Sequence, residues 1–177
     1  DVVSVNLTSV ASGTCEAARL AASRTEASGH IHVIDSQNAS LGQGQLAVLA
    51  AECAAAGVGI RETLDLLRDQ VPRTRTFAIV RDLRYAVSGG RLPRWVATVA
   101  ERLRLVPIIC TTRHGRISLS GFLAGRSNRV ERFARHVARR APPGPVEIGI
   151  GHARCEEDAR ALEKHLNDAA RESEAYG

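Results

Sequence analysis

Short apolar runs alternate with segments of helical periodicity along the first part of the chain. Val2–Leu7 and His30–Ser36 are short and mostly apolar, which predicts two buried strands. The alanine-rich segment Cys15–Ser23 predicts a helix between them. Gly42–Ala56 and Ile60–Asp69 predict two further helices, the second with an acidic first turn. This order of strand, helix, strand and helices is typical of a parallel α/β layer.

The pattern breaks at Val71–Arg75, where a proline and polar residues separate two groups of elements. Thr76–Val80 then predicts a strand and is followed by a short helix, and Pro93–Leu103 predicts another helix. Two apolar runs that meet at His114 and Gly115 predict two strands joined by a turn.

The last third of the chain predicts an amphipathic helix, a strand and a closing helix. Ser127 is the expected N-cap of the first helix, and Val130, Phe133, Ala134 and Val137 lie on one face of it. Val146–Ala153 predicts the strand and Glu156–Glu174 the closing helix. The whole pattern predicts an α/β fold with two domains, a parallel α/β layer at residues 1–75 and a smaller α/β domain with an antiparallel, hairpin-containing sheet at residues 76–177.

Composition excludes two classes of protein. Apolar residues make up 44% of the 177 residues, which excludes a disordered chain, and no apolar run is long enough for a transmembrane helix. The four cysteines are scattered singly, without the spacing of a zinc or redox motif. We expect them to be buried, reduced thiols of a cytoplasmic protein: Cys15, Cys53, Cys110 and Cys155.

The net charge of +5 comes almost entirely from arginine and makes an anionic partner worth considering. A nucleic-acid-binding module is one alternative, because one predicted helix carries five arginines. They spread around the helix instead of forming a stripe, and few aromatic residues are available for base stacking. A solvated helix face is therefore favoured for Arg129, Arg132, Arg135, Arg139 and Arg140.

Hydroxyl side chains cluster between the first strand and the first helix. Thr8, Ser9, Ser12 and Thr14 lie within seven residues, where the N–H groups of a helix start would suit an anion. Helix capping is the alternative, but it requires only one hydroxyl. The loop is therefore a candidate anion-binding site.

Two other strand ends carry polar residues. Asp35 and Ser36 end the second strand, where bracing of the loop is favoured over a metal or base role. His152 lies at the carboxyl end of the predicted strand Val146–Ala153, and both a packing role and a functional role stay open for it. A serine hydrolase using Ser12, His152 and Asp35 remains a second alternative, although no nucleophile motif is present.

A Gly-Gly-Arg sequence, Gly89–Arg91, follows the short helix predicted after Thr76–Val80. An ordinary helix stop, with Gly89 as the residue after the last turn, is one interpretation. The other is a tight turn that lets a ligand approach closely and points Arg91 at it.

Read in order, these segments resemble the DegV family. The match runs through nearly the whole chain and rests on five segments, SVNLTSVASGTCEAA, VIDSQNASLGQGQLAVLAAECAAAG, TFAIVRDLRYAVSGGRLPR, LRLVPIICTTRHGRISLSG and IGIGHAR. The resemblance implies two α/β domains with a long-chain fatty acid between them and no further cofactor. It also implies a cytoplasmic binding subunit, itself not an enzyme, that offers the carboxylate to a separate kinase resembling dihydroxyacetone kinase.

The resemblance implies a set of ligand-binding residues and transient contact with a membrane surface. Ser12 and its neighbours would hold the carboxylate, and Arg91 would lie at the pocket mouth. The expected ligand-binding residues are Thr8, Ser9, Ser12, Gly13, Thr14, Asp35, Ser36, Gly89, Gly90, Arg91 and His152.

The chain also departs from the family pattern. Ala11 replaces the usual leucine before Ser-Gly-Thr, and Val106 replaces a common basic residue. The family's upstream Thr-Ser-rich loop and its late His-Thr-Gly-Pro-Gly segment lie outside this sequence, which therefore resembles the middle of a family member.

Overall fold

A computed structural model describes residues 1–80, 82–125 and 127–175 of the chain. It contains parallel and antiparallel sheets with helices, so the predicted α/β fold class is confirmed. The strands are β1 (Val2–Asn6), β2 (Ile31–Asp35), β3 (Phe77–Ile79), β4 (Leu105–Thr111) and β5 (Ile117–Ala124). The α-helices are α1 (Thr14–Ser23), α2 (Leu41–Ala55), α3 (Ile60–Gln70), α4 (Arg84–Ser88), α5 (Arg94–Arg102), α6 (Arg129–Ala138) and α7 (Glu156–Ala175).

The described residues form two compact units, and the first is discontinuous in sequence. Unit 1 consists of Asp1–Thr76 together with Cys110–Ser118, and unit 2 consists of the other described residues. The segment Cys110–Ser118, which includes the turn between β4 and β5, thus belongs to unit 1. The division predicted from the sequence, between residues 75 and 76, assumes two domains that are each continuous in sequence. It stays a prediction.

A two-stranded parallel sheet and the helices α2 and α3 form the core of unit 1. β1 pairs with β2 in the register Val2↔Ile31 to Asn6↔Asp35. Leu46, Leu67 and Val71 are buried against side chains from both strands. Leu67 and Val71 are four residues apart, so they lie on the same side of the chain as α3 ends. Because the two strands are parallel and in this register, the carboxyl ends of β1 and β2 lie side by side.

An antiparallel sheet in the order β3-β4-β5 runs through the second half of the fold. The Thr111 N–H at the end of β4 donates to the Thr76 carbonyl just before β3, over 3.0 Å. In unit 2, Ile108, Leu123 and Phe133 form the buried core. Phe133 and Ala134 of α6 are buried, which confirms the predicted apolar face of that helix.

Two details of the predicted elements are wrong. The segment from Val146 to Ala153 contains no strand, and Val146 and Ile148 are 44% and 47% exposed. Alternating apolar residues favour a strand, but a strand also needs a neighbour, and no ladder pairs this segment among the described residues. At α6 the N-cap is Asn128, not Ser127. Asn128 has a φ of 52° and makes no side-chain cap bond.

The environments of the cysteines match the expectation only in part. Cys15 and Cys53 are buried, whereas Cys110 and Cys155 are half-buried. Burial raises the pKa of the Cys15 thiol. Within the described part of the chain, none of the helices has the length and hydropathy to cross a membrane.

Candidate functional site

The loop between β1 and α1 is anchored by Thr8, which is fully buried. The Thr8 N–H donates to the Asn38 carbonyl over 2.9 Å, and its hydroxyl donates to the Gly115 carbonyl over 2.8 Å. The Thr8 carbonyl in turn accepts the N–H groups of Ala11 and Ser12, each over 3.2 Å. Thr8 therefore holds the loop from inside, and its hydroxyl is engaged within the protein.

The start of α1 presents hydroxyl and main-chain donors together. The hydroxyls of Ser12 and Thr14 lie 2.7 Å apart, and the Thr14 N–H donates to Ser12 Oγ over 3.2 Å. Among the described residues, the N–H groups of Gly13 and Glu16 have no acceptor, as is usual in the first turn of a helix. A Cβ at Gly13 would meet nothing within 4 Å. These groups can bind an oxyanion with help from the helix dipole.

Asp35 at the end of β2 braces both loops at this edge. Its carboxylate accepts the N–H and the hydroxyl of Ser9, and the Gln37 N–H over 2.9 Å. Bracing is the role that the sequence favours for Asp35. Ser9 and Asp35 therefore stabilise each other beside the start of α1, and their contact with a ligand stays a prediction.

Ser36 lies inside the second loop and is fully buried. Its hydroxyl donates to the Asn38 carbonyl and accepts the Asn38 N–H, both over 3.1 Å. Ser36 N–H donates to the Asn6 carbonyl over 3.0 Å. Like Thr8, Ser36 is buried and its hydroxyl bonds within the protein. Contact of either residue with a ligand stays a prediction.

A set of buried polar residues that the sequence did not single out surrounds this edge. Asn38 and Thr111 are almost completely buried. The hydroxyl of Thr76 lies within hydrogen-bonding distance of the Asn38 side-chain oxygen. The side chains of Asn38 and Thr111 meet by a hydrogen bond between residues 73 positions apart in the chain. An asparagine shortly after Asp35-Ser36 is the only local signal, and it does not identify the distant partner.

The Gly-Gly-Arg segment in unit 2 ends α4 with a Schellman motif. Gly89 is the C-cap, and Gly90 has a φ of 72°. The Gly90 N–H donates to the Val87 carbonyl and the Arg91 N–H to the Ala86 carbonyl, which are the two bonds of that motif. Gly89 therefore directly follows the last turn of α4, as the helix-stop interpretation expects, and Gly90 is the left-handed residue. The exposed Arg91 guanidinium donates to the Gly89 carbonyl over 2.8 Å.

His152 lies in the irregular segment before α7 and is exposed. Its Nδ1 accepts the Cys155 N–H over 3.3 Å, so the imidazole supports the start of α7. The expectation that His152 lies at the carboxyl end of a strand is wrong, because Val146–Ala153 forms none. Its contact with a ligand stays a prediction.

The contacts of unit 1 give no support to a serine hydrolase. Among the described residues, the hydrogen bonds of Ser12 and Asp35 include no histidine: Ser12 bonds to Thr14, and Asp35 bonds to Ser9 and Gln37. A hydrolase triad requires a base on the serine and an acid on that base. Across the described residues, no group of three histidine, cysteine or acidic side chains could hold a metal ion.

Comparison with known proteins supports one family over the whole chain. The DegV model, which describes an uncharacterised protein family, matches residues 1–176. A DegV domain-containing protein of Streptomyces coelicolor is 30% identical over 167 residues, which cover 94% of this chain and 58% of that protein. The chain spans between about two fifths and three fifths of the length of such curated relatives.

Two solved structures share the fold at lower identity. A DegV family protein from Eubacterium eligens loaded with heptadecanoic acid has a TM-score of 0.84 and 22% identity, covering 96% of this chain and 63% of that one. The fatty acid kinase B3 protein of Streptococcus pneumoniae loaded with linoleic acid has a TM-score of 0.80 and 19% identity, covering 94% and 60%. The family match over residues 1–176, together with this common fold, leads to one conclusion: the chain belongs to the DegV family.

Proposed function

We propose that this chain binds a long-chain fatty acid and holds its carboxylate at the start of α1. The observation that carries the proposal is the group of donors formed by Ser12, Thr14 and the N–H groups of Gly13 and Glu16. A carboxylate placed there would accept several hydrogen bonds, and the positive end of the helix dipole would stabilise its charge.

Exposed apolar side chains in the loop before α1 and at the start of α2 support an acyl ligand. Val10 in the same loop is 56% exposed, and Leu41 at the start of α2 is 38% exposed. Burial of each methylene of an acyl chain contributes about 0.8 kcal/mol, so the apolar part would supply most of the affinity. The relatives from Eubacterium eligens and Streptococcus pneumoniae, both loaded with fatty acids, support the same ligand class.

We further propose that the chain acts as a cytoplasmic binding subunit for a separate ATP-dependent kinase. The support is the family membership and the structural neighbour that is itself a fatty acid kinase B protein. In this proposal Arg91 acts on the phosphoryl transfer step, because an exposed guanidinium can pair with phosphate oxygens by two parallel hydrogen bonds. No described carboxylate forms an ion pair with Arg91.

Ser12→Ala is the direct test of the carboxylate site. We expect the dissociation constant for oleate to rise roughly 10-fold or more, because a hydrogen bond to a charged group is lost. Binding of methyl oleate should change much less, since the ester carries no charge. Displacement of a fluorescent fatty acid measures both constants.

Ser28→Ala provides the matched control, because Ser28 is an exposed serine of the same unit. It should leave both constants unchanged. An equal loss for oleate and methyl oleate in Ser12→Ala would contradict a carboxylate contact, and failure of the wild-type chain to bind either lipid would contradict the proposed function.

Arg91→Ala tests the kinase step. Fatty-acid affinity should stay within about 3-fold of wild type, because apolar burial dominates it. The rate of acyl phosphate formation with the kinase subunit and ATP should fall about 10-fold or more, because a charge-assisted contact to the transferring group is lost. Arg102→Ala, an exposed arginine of α5, is the control. A full rate in Arg91→Ala would leave the Gly-Gly-Arg turn as a helix stop only.

A further inference from the structure

Asn38 is a completely buried side chain whose amide oxygen and nitrogen are both hydrogen-bonded. Its Oδ1 accepts the Thr111 hydroxyl over 2.7 Å and lies 3.3 Å from the Thr76 hydroxyl, which donates to the Ala39 carbonyl over 2.9 Å. Its Nδ2 donates to the carbonyls of Ser36 over 3.2 Å and Thr74 over 3.1 Å. The amide thus joins the loop after β2 to the segment before β3 and to the end of β4.

The main chain of Asn38 continues this network toward the start of α1. Its carbonyl accepts the Thr8 N–H over 2.9 Å, and the Thr8 carbonyl accepts the Ser12 N–H over 3.2 Å. Two successive hydrogen bonds therefore connect Asn38 to Ser12. The Thr8 hydroxyl also bonds to Gly115, so the β4–β5 turn supports the same loop from another direction.

Only an amide satisfies all the groups around Asn38. An aspartate would place a carboxylate against the Ser36 and Thr74 carbonyls, which need a donor. An apolar side chain would leave the Thr111 hydroxyl and two carbonyls in the interior without this partner, and buried polar groups without partners are costly. The fold therefore requires an amide at position 38 for its hydrogen bonds and not for its volume.

We infer that Asn38 is a positioning residue for the carboxylate site, acting on Ser12 through Thr8. The inference rests on the proposed function as far as the ligand is concerned. Asn38 itself touches no ligand. It sets where the loop before α1 lies relative to β2, and so determines whether the Ser12 hydroxyl and the Gly13 N–H point at the same oxyanion.

The first arm of the test is independent of any ligand. Hydrogen exchange of the Thr8 and Ser12 amides is measured by NMR in the wild-type chain, in Asn38→Asp and in Asn6→Asp. Asn6 is a second buried asparagine of unit 1, and the hydrogen bonds of its Nδ2 to described residues go to Ser4 alone. We expect exchange at Thr8 and Ser12 to become at least about 10-fold faster in Asn38→Asp, with Leu67 unchanged and no such change in Asn6→Asp. Unchanged exchange at Ser12 would overturn the inference.

The second arm measures the ratio of the dissociation constants for methyl oleate and oleate. Thr111→Val is included because it removes one donor to Asn38 while it keeps the side-chain volume. We expect the preference for oleate to fall about 10-fold in Asn38→Asp and about 3-fold in Thr111→Val, with methyl oleate binding nearly constant. A parallel loss of both lipids would overturn the positioning role. If the wild-type chain binds neither lipid, the proposed function fails and the exchange arm alone decides on Asn38.

Discussion

Gly115→Ala should lower the free energy of unfolding of unit 1 by about 2–5 kcal/mol. This is a larger loss than the one expected for Gly42→Ala in the same unit. Gly115 has a φ of 73°, which strains a residue with a side chain. An added Cβ would also overlap Thr8 Oγ1 and lie 3.2 Å from the Gln37 Cα. The substitution would therefore push the β4–β5 turn away from the loop that carries Ser12. Urea unfolding measures the loss of free energy.

Gly57→Ala separates the two causes of that loss. Gly57 has the same φ of 73°, but a Cβ there would meet nothing within 4 Å. Only the backbone strain remains, so we expect a loss of about 1–2 kcal/mol. Equal losses in Gly57→Ala and Gly115→Ala would show that the contact with Thr8 contributes nothing.

Gly42→Ala should destabilise the fold by about 1–3 kcal/mol, although alanine favours a helix. Gly42 is a buried residue in the first turn of α2. An added Cβ would overlap Thr76 Oγ1 and lie 2.9 Å from Asn38 Oδ1. The methyl group would thus displace hydroxyl and amide groups that already satisfy each other. Thermal and urea unfolding give the size of the effect.

Gly44→Ala, two residues further along α2, should have the opposite sign. A Cβ at Gly44 meets nothing within 4 Å, and the residue is exposed. Removal of a glycine from a helix there should stabilise the chain by about 0.5–1 kcal/mol. Destabilisation by both substitutions would mean that a methyl group at either glycine is unfavourable for a common reason, and the close approach of Asn38 to Gly42 would not be the cause.

Most elements of the fold could be predicted because the signals for them are local. The apolar spacing of α3 predicts Ile60–Asp69, and the helix runs from Ile60 to Gln70. The strand predicted at Val146–Ala153 failed for a reason that is not local. Its alternating side chains favour an extended chain, but only a neighbouring strand can satisfy its backbone groups.

The candidate site could be predicted only in part. The hydroxyls around Ser12 and the bracing role of Asp35 follow from residue types at strand ends. Sequence does not distinguish a hydroxyl that faces inward, as in Thr8, from one at the surface, as in Thr14, because both fit the same loop. The hydrogen bond between Asn38 and Thr111 could not be predicted from the sequence either, because Thr111 comes from a hairpin far along the chain.

The discontinuity of unit 1 has a consequence for the order in which the nascent chain can fold on the ribosome. The segment Asp1–Thr76 emerges first, yet its loop before α1 lacks Gly115 and its buried amide lacks Thr111 until Cys110–Ser118 has been synthesised. At typical translation rates of about 5–20 residues per second, that interval lasts a few seconds. During this time the first strands and helices can form, but the geometry around Ser12 cannot be completed. The geometry of the proposed anion site is thus completed only after the hairpin has been synthesised.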